Sequence, residues 1–329
     1  MIIYTTGFLL VSALIMDFIF GDPRRFPHPT AGIGWCISRM IKRWNLGSAA
    51  ERKRRGIWMA VCITGGVWAA GALIISLLTL LHPLLGLGGS VWMTYSAVAA
   101  KGLKEAAEAV KKPLEADNLQ EAEKALSMIV GRDTAGLSES EIVRGTVETV
   151  AENTVDGVTS PIFWALIGGG PAAMAYRAVN TLDSMAGYKN DNFSSFGWAS
   201  ARLDDAANWL PARLTSAAIW VAALAVPGSR KRAALTVLRR DARKHPSPNS
   251  GWSEALVAGL LGVTLGGTNY YNGIRSQRAL MGDGKRQLHA QDITRSIYYL
   301  YGGAVVFTIF CVAVWWILGG WGVPFVDKS

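Results

Sequence analysis

The sequence predicts an all-α, polytopic integral membrane helical bundle with interrupted or re-entrant helices and a cytoplasmic amphipathic helical segment. Three observations carry that expectation. Half of the 329 residues are hydrophobic, with 13 tryptophans, and the mean hydropathy is +0.24, too apolar for a water-soluble enzyme of this length. Apolar runs approach the ~20 residues that a helix needs to cross hydrocarbon. The net charge of +9 is gathered into two clusters, within 39–55 and 230–244, instead of being spread along the chain.

Taken in order, candidate spans lie at 1–20, 57–81, 90–103, 160–178, 209–226, 254–270 and 298–321, with 57–81 and 298–321 the longest and cleanest. The first run lacks a basic leader and a small-residue cleavage site and passes straight into Gly21-Asp22-Pro23, so it reads as a retained span. Both basic clusters belong on the cytoplasmic side by the positive-inside rule. Without interleaved aromatics they speak against nucleic-acid binding. Cys36, Cys62 and Cys311 are scattered and odd in number, which excludes a disulfide framework and argues against zinc.

Between the third and fourth runs the chain turns amphipathic, a helical insertion at 104–153 within a single membrane domain of 1–329. Lys101–Lys112 reads as a helix stopped by Pro113; Asp117 with Gln120 resembles a capping box for 118–130; Ser138 with Glu141 makes one for 139–153. Farther on, 160–178 is broken by Gly168-Gly169-Gly170-Pro171, and 254–270 by Gly262, Gly266 and Gly267. Such segments are either re-entrant elements bordering a wet site or ordinary spans with glycines at close helix contacts.

Polar residues concentrate in 152–213, between runs apolar enough for a bilayer. Ionisable groups beside hydrocarbon cost several kcal/mol unless paired, solvated or ligand-bound. Arg144, Glu148, Glu152 and Asp156 recur every four residues and align if one helix carries them all. A solvated face accounts for Arg144 and Glu148, while Glu152 and Asp156 abut Pro161 and an apolar run. Arg177, Asn180 and Ser184 share a helix face with Asp183 beside it; Arg202 reaches Asp205 at i+3, and Asp204 aligns with Asn208 at i+4. Hard oxygen donors of this kind suit Mg²⁺, and Arg177, Lys189, Arg202 and Arg213 are of the types that hold phosphate. Asp22 and His28 follow the first run, and Asn249 sits in a Ser-Pro-Asn turn before Glu254. No GxxxxGK[ST], GxSxG or HExxH occurs.

Together these motifs resemble the CbiB/CobD family of cobalamin biosynthesis, the adenosylcobinamide-phosphate synthases. The resemblance rests on GDPRRFPHP at 21–29, the long stretch 131–190, FGWASARLDDAANWLPARLT at 196–215 and SPNSGWSEALVAGLLGVTLGG at 247–267. It implies a multi-pass enzyme of the cell inner membrane that joins 1-aminopropan-2-ol, most naturally as its O-phosphate, to a propionate carboxylate of adenosylcobyric acid. ATP and Mg²⁺ are the implied cofactors. Glu152, Asp156, Asp183 and Asp204 are then expected as Mg²⁺ ligands or bases, joined as catalytic candidates by Asp205, His28 and Asp22. Arg177, Lys189, Arg202 and Arg213 are expected to contact phosphate or propionate, and Asn153, Asn180, Ser184, Asn208 and Asn249 to orient substrate amides. The implied partners are the corrinoid, aminopropanol phosphate, the lipid bilayer, other membrane-associated enzymes of the pathway, and a second copy of the chain. The competing readings are a secondary transporter and a membrane phosphotransferase acting on lipid-linked substrates.

Overall fold

The computed structural model describes residues 5–21, 28–188, 192–271, 273–284 and 286–319. Asp22 and Lys189 lie outside the described residues. The chain begins with α1 (Thr5–Phe20) and α2 (Pro29–Trp44), the latter opened by Pro29 and capped by His28. An amphipathic α2 was not foreseen from the sequence. Next comes α3 (Ala49–Leu81), opened by a full capping box of Ser48 and Glu51. At 33 residues it is about 50 Å long, enough to cross a hydrocarbon core. His82 ends it and caps α4 (Pro83–Ala97), and Val98 separates α4 from α5 (Ala100–Glu115). The run at 90–103 is therefore two helices and not one span.

Two corrections fall in the amphipathic segment. Pro113 does not stop α5, which continues to Glu115 with the proline in its last turn. The cap of α6 (Leu119–Ser127) is Asn118, whose Oδ1 accepts from the Glu121 amide, whereas Asp117 sits in the left-handed region at φ 54°. Ser138 and Glu141 do form the expected capping box, opening α7 (Glu139–Thr154). A π-helical turn, Val155–Thr159, then leads into α8 (Ser160–Ala186). The glycine break is real: Gly168 and Gly169 leave helical geometry, Gly169 at φ +65°, and the Gly170 amide turns to donate to Ser90 Oγ at 2.8 Å.

After α9 (Trp198–Ala207) come α10 (Trp209–Ala222), α11 (Lys231–Asp241), a 3-10 turn at Ala242–Lys244 and α12 (Ser250–Leu261), which Gly262 terminates at φ +68°. The expected span at 254–270 is thus overturned. Its second half is β1 (Leu265–Tyr271), paired antiparallel with β2 (Ile274–Met281). Gly266 and Gly267 take φ of +86° and +93° at an irregularity in the register, a bulge that only glycines enter without strain. Asp241, fully buried, accepts from the Gly282 amide and pairs with Arg240 and Lys244, which fixes the end of the hairpin. The chain closes with α13 (Ala290–Gly319).

The all-α class holds, with this hairpin the one sheet among the described residues. Among the described residues three stretches are long and apolar enough to cross a membrane: Ala49–Leu81, Glu139–Ala186 and Ala290–Gly319. In the expected span at 209–226 the helix is α10, Trp209–Ala222, 14 residues, about 21 Å, too short to do so. Trp58, Trp68, Leu77, Leu80 and Leu81 stand exposed along α3, a long apolar face that water does not favour.

The chain divides into two compact units. The first takes the described residues of Met1–Ala99, Asp156–Asn208 and Thr308–Ser329, with α8 packed on α2, α3, α4 and α9. The second takes Ala100–Val155 and Trp209–Phe307, with α12 packed on α7, α10 and α11.

Candidate functional site

Each unit holds a buried polar cluster that brings together residues expected from the sequence. In the first, the cluster is built on α8 and α9. Ser160 Oγ and the Tyr176 hydroxyl both donate to Asn208 Oδ1, at 2.6 and 2.8 Å. Two donors on that oxygen fix the amide, so Asn208 Nδ2 faces Asp204 Oδ2 and donates to it at 3.0 Å. Asp204 is 9% exposed, and its Oδ1 has no hydrogen-bond partner among the described residues. Burial, and then the neighbouring Asp183, push its carboxyl up to about 7 against the pull of the Asn208 amide. Asn180 Nδ2 lies 3.5 Å from Asp156 Oδ2, and Arg177 Nη1 the same distance from Asn180 Oδ1.

The i+3 and i+4 expectations on α9 are met: Asp205 pairs with exposed Arg202 at 3.7 Å while Asp204 turns inward. Ser184 follows Arg177 and Asn180 on α8 but is exposed and donates to the Thr181 carbonyl. His28 serves α2, accepting the Thr30 amide at Nδ1.

In the second unit the cluster is built on α7, the hairpin and α12. Glu148 accepts from Arg132 Nη1 at 2.9 Å and from the Gly266 amide at 2.8 Å. Arg144 donates to the carbonyls of Gly266 and Thr268, and Asn269 Oδ1 receives both guanidinium groups. The bulge thus turns Gly266 so that its amide meets Glu148 and its carbonyl meets Arg144. This corrects the solvated-face reading, because Arg144 and Glu148 are 9% and 5% exposed.

Glu152 accepts from Ser250 Oγ at 2.8 Å, and Asn153 donates back to the Thr149 carbonyl. Glu254, 1% exposed, lies 3.6 Å from His245 Nε2. His245 Nδ1 lies 3.0 Å from the Ser247 amide and 3.4 Å from the Ser247 carbonyl oxygen, and its Nε2 faces Glu254. Burial, then Glu152 and Glu148, push the Glu254 carboxyl well above the usual carboxylate range, and burial depresses His245. A cavity of about 140 Å³ opens beside Arg132, Glu148, Glu152, Tyr271 and Arg278. A second, of about 250 Å³, shares Arg132 and reaches Asn269 and Arg275. Asn249 stands at the N-cap of α12. Arg213 is sandwiched between the rings of Trp209 and Trp252, at 4.2 and 4.7 Å.

The expected Glu152–Asp156 stripe is divided by the π turn: Glu152 joins the second cluster and Asp156 the first. Among the described residues no three His, Cys, Asp or Glu side chains converge to hold a metal ion. Sequence reasoning missed Arg132, Glu254, His245, Asn269 and Arg278 as site residues. Ile142, Val143, Val147, Val150 and Ala151 line one half of α7 while Arg144, Glu148 and Glu152 lie on the other, so helical spacing alone reads the charged half as a solvated face.

A model described as CobD/CbiB protein matches residues 10–300. A cobalamin biosynthesis protein CobD of Halalkalibacterium halodurans is 48% identical over 315 residues, 94% of this chain and 96% of the relative. A cobalamin biosynthesis protein CbiB of Salmonella paratyphi B is 43% identical over 292 residues, 88% and 91% of the two chains. A CobD of Klebsiella pneumoniae is 43% identical over 311 residues, 93% and 97%. No solved structure matches the chain. A match of this length and identity, running through both clusters, leaves one conclusion: the chain belongs to the CobD/CbiB family.

Proposed function

We propose that this protein acts in cobalamin biosynthesis as a membrane-bound amide-forming ligase, joining aminopropanol phosphate to adenosylcobyric acid at the expense of ATP. The observation that carries the reading is the family match over residues 10–300, with relatives named as cobalamin biosynthesis proteins. The three long apolar stretches support residence in a membrane, the cell inner membrane in this reading.

A carboxylate and an amine do not condense in water without activation. In the proposed route a propionate oxygen attacks the γ-phosphorus of ATP and ADP departs; the amine nitrogen then attacks the acyl carbon, phosphate departs, and an amide remains. The amine must shed a proton, and Glu152, which lines a cavity, is the base assigned to it.

The first cluster fits a divalent ion. Asp204 Oδ1 is a buried hard donor without a partner among the described residues, and Asp183 adds like charge beside it. Mg²⁺ takes one or two protein carboxylates and fills its remaining positions with water and phosphate oxygens, so a closed ligand cage is not required. Asp183 and Asp204 would hold it, and when bound it would offset the negative charge of the phosphoryl groups in transfer.

The test incubates purified protein in detergent with adenosylcobyric acid, Mg-ATP and aminopropanol phosphate and reads the condensed mass. Product formed without any polyprenyl phosphate supports the ligase over a lipid-linked phosphotransferase. No condensed product under any nucleotide condition, from folded protein, overturns it.

A further inference from the structure

The cavity at α7 and the hairpin is lined by opposite charges at close quarters. Glu152 and Glu148 stand on α7, with Arg132 before it and Arg278 on β2. The Arg132 side chain is 7% exposed, yet its Nη2 has no hydrogen-bond partner among the described residues. A buried guanidinium N–H without an acceptor is costly, and a ligand oxygen would remove that cost. Glu148 accepts from Arg132 Nη1 and from the Gly266 amide, and neither of its oxygens bonds Nη2.

Size and charge narrow the ligand. At about 140 Å³ the cavity is on the scale of one that holds benzene, ~150 Å³. A macrocycle does not enter; a molecule of a few heavy atoms does. At the cavity wall Arg132 and Arg278 face Glu148 and Glu152, and Glu148 is already engaged by Arg132 Nη1 and the Gly266 amide. What is left to meet a ligand is Arg132 Nη2 and the Arg278 guanidinium against the Glu152 carboxylate, which suits a molecule whose anionic end carries more charge than its ammonium. A phosphate monoester of a small amino alcohol has that balance.

We propose that this cavity is the binding site for a small phosphate-bearing primary amine, with Glu152 pairing to the ammonium and Arg132 and Arg278 to the phosphate. The identity of that amine as the ligase's second substrate rests on the function proposed above; the chemistry of the site does not. Arg278 is the specificity residue, held by its hydrogen bond to the Tyr271 hydroxyl at 3.2 Å. The same chemistry occurs in a lipid headgroup, where the phosphate is a diester of lower charge. The assignment here is to the free monoester.

Calorimetric titration of the purified full chain with O-phosphoethanolamine, ethanolamine and inorganic phosphate tests the site. O-phosphoethanolamine is expected to bind at least about tenfold more tightly than either fragment, the scale of one charge-assisted hydrogen bond. Glu152→Gln is expected to reduce its affinity to that of phosphate, and Arg278→Gln to that of ethanolamine, with Arg278→Lys recovering part of the loss. Each variant is compared at a melting temperature matching the parent. Equal binding of all three probes by the parent, or unchanged selectivity in both matched variants, overturns the proposal. Repeating the titration in nanodiscs of phosphatidylethanolamine and of phosphatidylcholine separates the sources: equal affinity supports the free monoester, and loss of binding in phosphatidylethanolamine overturns it in favour of the headgroup. Because corrinoid and ATP are absent, binding that holds while ligation fails overturns the reaction alone, and ligation without binding overturns this site alone.

Discussion

The Arg132–Glu148–Asn269–Arg144 network of the second unit and the buried acid Asp204 of the first are satisfied in opposite ways. In the second unit each charge of the Arg132–Glu148–Asn269–Arg144 network meets a counter-charge, an amide or a backbone group. In the first, Asp204 is buried next to Asp183, with the Asn208 amide as its hydrogen-bonded neighbour. Amides satisfy lone pairs but do not cancel charge. A paired network is a scaffold whose loss unfolds it, whereas stacked acids are tolerated for what they bind.

The sharpest way to break this contrast is to neutralise one acid of the first cluster. Asp183→Asn and Asp204→Asn are each expected to lower ligation by about 10³-fold or more, about 4 kcal/mol of barrier, while the protein melts no lower than the parent. Near-normal rates in both would reduce the first cluster to a structural one. In the second cluster the outcome reverses: Glu148→Ala strands Arg132 and the Gly266 amide and is expected to cost about 3–5 kcal/mol of stability, read as a large drop in Tm.

The pH dependence separates them next. Asp204 binds its proton up to about 7 in the folded chain, against an ordinary 3.8, so the folded state holds a proton that the unfolded state has lost. Stability therefore falls as pH rises from about 3.8 to about 7 and levels off above, by no more than about 4 kcal/mol. Asp204→Asn is expected to flatten that fall, and Mg²⁺ to raise Tm more at pH 8 than at pH 5; parallel melting profiles of parent and variant would contradict it. The smallest effect is steric. A Cβ at Gly145 would lie 2.3 Å from Arg132 Nη2, so Gly145→Ala is expected to cost about 1–3 kcal/mol and to weaken phosphoethanolamine binding.

How much was legible follows from the range of each interaction. The Ser138–Glu141 cap, the Arg202–Asp205 and Asp204–Asn208 pairs and the break at Gly168-Gly169 all lie within one or two turns of sequence, and helical spacing announces them. Arg132 meets Asn269 across 137 positions, and no local periodicity encodes that. The hairpin was hidden for another reason. Its first strand continues the apolar, glycine-rich composition of α12, so hydropathy alone joins two elements that Gly262 separates.

The π turn at Val155–Thr159 has a consequence for how this stretch can change. An α-helix advances about 100° per residue, so the wide turn resets the phase between Glu152 and Asp156. Composition would scarcely register the removal of one residue there, yet every alignment counted across it would be rewritten. Insertions and deletions in this five-residue window are therefore the smallest edits that can send an acid from one cluster's register into another's, and a chain that keeps its length there preserves the separation of the two.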